Sequence, residues 1–215
     1  MNNKIIERFQ FITDAVEPDA HIRQLKDACE GGCKWVQLRI KEFDDETWLN
    51  TALKAKNIAD KYNALLIIND NVNITKEVGA AGTHLGKTDI SIKKARDVLG
   101  RNFIIGGTAN TFEDIISLSY EDPDYIGLGP YRFTTTKKKL SPVLGIKGYI
   151  SILNNMKENN INIPVIAIGG IKEEDISSLI NNGLYGVAVS SLIVNAENIT
   201  LKTMTILDNI KNIKL

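Results

Sequence analysis

Apolar residues in this chain fall into short continuous runs, each followed by a stretch where they recur every three or four positions. The first pattern reads as a strand covered on both faces and the second as an amphipathic helix. Phe9–Thr13 is such a run, and a helix from about Asp19 to Glu30 follows it with Ile22, Leu25 and Cys29 on one face. Gly31-Gly32 ends that helix. Trp35–Arg39 is the second strand, and Trp48, Ala52, Ala55, Ala59 and Tyr62 stripe the helix after it. Ala64–Ile68, the brief Thr83-His84-Leu85 and Phe103–Ile105 give strands three to five. A short helical piece at Ile74 and Val78 lies among them, and so does a helix capped by Ser91 with Ile92, Ala95, Val98 and Leu99 inward. Thr111 opens another helix, with Asp114 three positions on as its capping-box partner. Tyr125–Leu128 is strand six and stops at Pro130, which has no N–H to extend a ladder. Ile146, Tyr149, Ile150, Leu153 and Met156 mark the next helix. Strands seven and eight are Ile163–Ile168 and Gly186–Val189, with Ile176, Leu179 and Ile180 on the helix between, stopped at Gly183. A last helix turns Met204, Leu207 and Ile210 to the core.

Eight strand–helix units of roughly 27 residues each fit a closed (β/α)8 TIM barrel, whereas an open doubly wound sheet suits five or six. No linker or shift in composition divides residues 1–215, so a single domain is expected. Apolar residues make up 43% of the chain, enough for a buried core. The 26 basic and 26 acidic side chains cancel, so a nucleic-acid partner, which calls for a basic excess, is not expected. No apolar run reaches the ~20 residues that span a bilayer, and the first ten residues lack a signal-peptide pattern. The only cysteines, Cys29 and Cys33, have too few soft ligands around them for a metal site and read as buried thiols. These features predict a cytoplasmic protein with no membrane partner, and they leave a homo-oligomer open.

With net charge at zero, any anion chemistry must come from local placement. In a (β/α)8 barrel the site gathers past the C-terminal ends of the strands. After strand two, period two puts Gln37, Arg39 and Lys41 on one side, with Leu38 and Ile40 between them. Asn69 and Asp70 follow strand three, Gly86 and Asp89 strand four, and Thr108 strand five. Strand six leads into Tyr131-Arg132-Phe133 and then three hydroxyls and a cation, Thr134, Thr135, Thr136 and Lys137, a composition suited to a phosphate or diphosphate. Strand seven ends in Gly169-Gly170 and strand eight in Ser190-Ser191, where glycine backbone and a short helix can cradle a phosphate. Asp70 and Asp89 suit a hard cation such as Mg2+, which binds through one or two carboxylates plus substrate phosphates. Asp89 could instead cap the helix at Ser91. Two phosphate-bearing substrates meeting in one cavity is the arrangement this suggests, and no Ser-His-Asp or Cys-His set accompanies it.

Seven segments then carry a resemblance: Q-L-R-I-K at 37–41, I-I-N-D at 67–70, H-L-G-K-T-D at 84–89, G-L-G-P at 127–130, F-T-T-T-K at 133–137, A-I-G-G-I at 167–171 and G-V-A-V-S-S at 186–191. In order and spacing they resemble the thiamine phosphate synthase family across nearly the whole barrel. The resemblance implies a transferase that joins 4-amino-2-methyl-5-hydroxymethylpyrimidine diphosphate to a thiazole phosphate and releases diphosphate with Mg2+ present. By position it assigns Gln37, Arg39, Lys41, Asn69, Thr108 and Lys137 to the pyrimidine diphosphate, with Leu38 and Ile40 in the same substrate-binding stretch. Asp70 and Asp89 fall to Mg2+, and Thr134, Thr136, Gly170, Ser190 and Ser191 to the thiazole phosphate, with Thr135 in the same substrate-binding loop. Arg39, Lys41 and Lys137 are the catalytic cations. The chain departs from the family at Thr108, where Ser is usual, at Asn110, near which a His is usual, and at Asn71, in place of a common Arg. Lys138 and Lys139 also lengthen the basic run. Two other readings are a thiazole tautomerase of the same shape, which calls for an imidazole near Asn110, and a non-catalytic barrel binding a phosphorylated ligand. Neither needs the full ring of diphosphate ligands.

Overall fold

Strands and helices alternate along the chain because buried, both-sided strands need helices over their outer faces. The computed structural model describes residues 6–41, 43–133 and 142–213. Its strands are β1 (Phe9–Ile12), β2 (Trp35–Leu38), β3 (Leu65–Asn69), β4 (Gly82–Leu85), β5 (Ile104–Ala109), β6 (Tyr125–Leu128), β7 (Val165–Ile168) and β8 (Gly186–Val189). They pair in parallel and in sequence order, and β1 then pairs with β8 to close the barrel. In that seam Phe9 stands opposite Val187 and Phe11 opposite Val189. The helices are α1 (Pro18–Glu30), α2 (Asp45–Lys61), α3 (Val72–Glu77), α4 (Ile92–Leu99), α5 (Phe112–Ser119), α6 (Gly145–Glu158), α7 (Glu173–Asn181), α8 (Ser191–Val194) and α9 (Ile199–Lys211). Among the described residues no helix is long and apolar enough to cross a membrane.

Strand period two sorts the side chains into two cores. Outward residues such as Phe9, Val36, Leu38, Ile68, Leu128 and Val187 join helix residues, including Leu25, Ala52 and Leu179, in one large cluster. Inward residues Trp35, Ile67, Ile104, Tyr125, Ile166 and Ala188 form a separate plug. Trp35 meets Tyr125 edge to face at 5.0 Å. Caps follow the expected chemistry. Ser91 accepts from the Lys94 N–H, and Thr111 with Asp114 forms a reciprocal capping box.

The structure differs from the expected elements in three places. β5 does not stop at Ile105 but runs on through Gly106-Gly107 to Ala109, so Thr108 lies inside the strand. A Cβ at Gly106 would sit 2.2 Å from Tyr125 Cζ, so this glycine makes room for a ring rather than breaking a strand. Second, one residue expected to face inward on each of three helices lies outside the core. Val98, Ile150 and Met204 are exposed, and α9 buries Thr203, Ile206 and Ile210 instead. Here α9 packs against Gly31, whose missing Cβ would lie 2.8 Å from Thr203 Cβ, and that close approach selects the face. Third, β7 begins at Val165 rather than Ile163, while the short helix expected after β8 is present as α8.

Replacing Gly106 with alanine should lower stability by about 1–3 kcal/mol, because the fully buried Tyr125 ring has nowhere to move. Urea unfolding of Gly106→Ala measures it, and a wild-type midpoint would show that the ring yields.

Candidate active site

Past the strand ends lies a cavity of about 700 Å³, lined from every strand. Its floor is a layer of buried polar groups above the apolar plug. The Gln37 amide donates to Gln10 Oε1 at 3.3 Å. His84 Nδ1 lies 3.0 Å from the Tyr125 hydroxyl and Nε2 lies 2.9 Å from Thr108 Oγ1. With both ring nitrogens engaged, this imidazole is fixed in place. Burial pushes the Tyr125 phenol well above its ordinary value, so it stays a neutral O–H.

One wall carries the cations. The Arg39 side chain is only 15% exposed, and its guanidinium Nη1 lies 3.8 Å from the Asp14 carboxylate. That Nη1 is buried and has no hydrogen-bond partner among the described residues. A buried guanidinium nitrogen left in that state calls for an anion in the cavity. Lys41 Nζ lies 4.0 Å from the same Asp14 oxygen. The Arg39 N–H donates to Thr13 Oγ1 at 3.1 Å, which fixes the end of β2 against the end of β1. Thr13 in turn donates to His21 Nδ1 at 2.8 Å, because His21 Nε2 gives its hydrogen to the Ala15 carbonyl and burial keeps the ring neutral. Asp14 was missed in the sequence, although it obeys the rule that found Asp70, a carboxylate just past a strand end. Leu38 and Ile40 differ from expectation: their side chains belong to the outer core with Val36. Period two, which aims Gln37 and Arg39 inward, necessarily aims these two out.

Across β3 and β4 stands the carboxylate pair. Asp70 takes the left-handed conformation, with φ of 63°, directly after β3, and its N–H donates to the His84 carbonyl at 2.9 Å. Burial, and then the neighbouring Asp89 carboxyl, push the Asp70 carboxyl up to about 7. Two carboxylates held this close repel one another, and a cation between them relieves that repulsion. Among the described residues no third carboxylate, histidine or cysteine completes a cluster with them. A site of two carboxylates, with the remaining positions left to substrate and water, fits a hard divalent ion. Asp89 does not cap α4, since Ser91 does; its Oδ2 accepts the Gly86 N–H at 2.6 Å. Asn71 is taken up as the N-cap of α3.

The opposite wall comes from β7 and β8. Gly169 and Gly170 both have positive φ, 86° and 68°. A Cβ at Gly170 would lie 2.8 Å from Arg132 Cβ, so only glycine fits there. Ser190 lines the cavity, its buried hydroxyl has no hydrogen-bond partner among the described residues, and Ser191 begins α8. Asn110 Nδ2 donates to the Gly129 carbonyl, so the amide that stands near the position of a family His is already engaged. Gln37, Arg39, Lys41, Asn69, Asp70, Asp89, Thr108, Gly170, Ser190 and Ser191 thus surround one cavity. Thr134, Thr135, Thr136 and Lys137 lie outside the described residues.

Known proteins match this chain over nearly its whole length. The model of a family described as thiamine monophosphate synthase matches residues 9–193. A thiamine-phosphate synthase of Bacteroides thetaiotaomicron is 48% identical over 95% of this chain and 97% of its own. One from Phocaeicola vulgatus is 44% identical over 97% of this chain and 100% of its own. The solved structure of thiamine phosphate pyrophosphorylase from Pyrococcus furiosus superposes with a TM-score of 0.83 at 26% identity, covering 96% of each chain. With a closed eight-stranded barrel, a family model matching residues 9–193 and relatives matched along almost its full length, the chain belongs to the thiamine monophosphate synthase family.

Proposed function

We propose that this cavity joins a hydroxymethylpyrimidine diphosphate to a thiazole phosphate, giving thiamine phosphate and diphosphate. The observation that carries the reading is Arg39, whose buried Nη1 has no hydrogen-bond partner among the described residues, lining the same cavity as the close Asp70–Asp89 pair. Gln37, Asn69 and Thr108 would orient the pyrimidine, with the backbone of Leu38 and Ile40 beside it. Arg39, Lys41 and Lys137 would neutralise the diphosphate as its C–O bond breaks. Asp70 and Asp89 would hold Mg2+, which when bound supplies further neutralisation of the departing diphosphate. The electron-rich aminopyrimidine can carry the methylene cation left behind, so a dissociative path fits. Across the mouth, Gly170, Ser190, Ser191 and Thr134–Thr136 would hold the thiazole phosphate, whose ring nitrogen attacks. That nitrogen is neutral and nucleophilic, so no general base is required, in keeping with a floor whose only imidazole is held through both nitrogens. Positioning and electrostatics then supply most of the acceleration. The whole chain acts as one domain in this reading. Cys29 and Cys33, each pushed up to about 12 by burial, suit a reducing cytoplasm as unreactive thiols.

Mixing the two substrates with Mg2+ and the protein should release diphosphate and thiamine phosphate in equal amounts, followed by chromatography. No product with both substrates and metal present would overturn the reading.

The carboxylate pair should act as one metal site. Asp70→Asn and Asp89→Asn should each raise the Mg2+ concentration needed for half-maximal rate, and the double variant should fall short of the product of the two losses. A wild-type Mg2+ dependence in Asp89→Asn would remove Asp89 from the site.

Ser190→Asp places a negative charge in the second anion pocket. It should abolish calorimetric binding of thiazole phosphate while the pyrimidine diphosphate still binds. Unchanged thiazole phosphate binding would move that pocket elsewhere in the barrel.

A further inference from the structure

Arg132 is the one charged residue in the segment between β6 and Thr134, and it does not line the cavity. Its guanidinium instead makes a two-pronged contact with Asp175 on α7, Nη2 donating to Oδ1 at 2.7 Å and Nη1 to Oδ2. Asp175 is 7% exposed, against 40% for the Arg132 side chain. Burial alone would raise the Asp175 carboxyl, but hydrogen bonds from Arg132 and from the Lys172 N–H hold it below its usual range. The backbone repeats the same tie. The Tyr131 N–H donates to Ile168 O at 2.9 Å, and the Arg132 N–H to Gly169 O at 3.0 Å. Arg132 Nη1 also lies 3.5 Å from Gly170 O, and the guanidinium sits 4.8 Å over the Tyr131 ring. Two of these ties end on the carbonyls of Gly169 and Gly170, and the others hold Tyr131 and Arg132 to the end of β7 and to α7. A half-exposed ion pair adds little to stability, but a fork bound through two parallel hydrogen bonds fixes direction.

Resting on the function proposed above, we infer that Arg132 and Asp175 are positioning residues for the thiazole phosphate pocket. Their ion pair holds Tyr131 and Arg132 against Gly169-Gly170, so the glycine wall of the pocket keeps one shape. Neither residue touches substrate, and neither belongs to the pyrimidine diphosphate wall.

Steady-state diphosphate release in Arg132→Gln, varying each substrate in turn, tests this. The KM for thiazole phosphate should rise about tenfold or more while that for the pyrimidine diphosphate stays within about twofold. Arg132→Lys, which keeps the charge but loses the fork, should recover only part of the loss. Because Asp175 also receives the Lys172 N–H at the start of α7, Asp175→Asn risks the fold, and Arg132→Gln is the deciding variant. An unchanged KM for thiazole phosphate, or an equal rise for both substrates, would overturn the inference. Wild-type turnover is the control: if the wild type forms no thiamine phosphate, the functional reading itself fails, whereas an active wild type with an indifferent Arg132→Gln sinks only the positioning role.

Discussion

The Tyr125 ring is what the inside of the barrel is built around. Fully buried, it takes the edge of Trp35 on one side, presses on Gly106 on another, and offers its hydroxyl to His84. A phenol in that position needs a polar partner above an apolar plug. His84 provides it and hands the chain of contacts on to Thr108. The boundary between dry core and polar cavity is therefore set at the height of one hydroxyl group. Everything nearer the mouth can be polar and still be supported from below.

From that boundary upward the site is a problem of placing charges of opposite sign without letting them cancel. Arg39 stands near Asp14 and senses Asp70, yet its Nη1 makes no hydrogen bond among the described residues. Asp70 and Asp89 are pressed together rather than onto that cation. The walls thus retain unmet demand for an anion on one side and a cation on the other. A pocket whose charges were mutually satisfied would bind neither.

Most of the fold was legible because strand runs and helical stripes state their period directly. Tyr125–Leu128 and Gly186–Val189 are observed with the expected limits. Gln37 and Arg39 could be aimed inward by alternation, and the same alternation should have excluded Leu38 and Ile40. What sequence concealed depends on contacts distant along the chain. Gly106-Gly107 looks like a break until the Tyr125 ring is placed on it. The face of α9 is chosen by the bare backbone at Gly31, which periodicity alone does not encode. Asp14 belongs to no segment shared with the family pattern, so only its approach to Arg39 and Lys41 reveals it.

The pairing of β1 with β8 has a consequence for how the protein comes into being. Gln10 on the cavity floor and Ser190 on its wall come from opposite ends of the fold, brought together by the seam between Phe11 and Val189. While the chain is still emerging from a ribosome, the earlier strands can pair with one another, but the cavity lacks a side until β8 arrives. Synthesis is slow, at about 5–20 residues per second, so for some seconds the nascent chain exposes two strand edges that the finished barrel does not have. Closing the ring is thus also the moment at which the protein first becomes able to enclose a ligand and stops being a template for its neighbours.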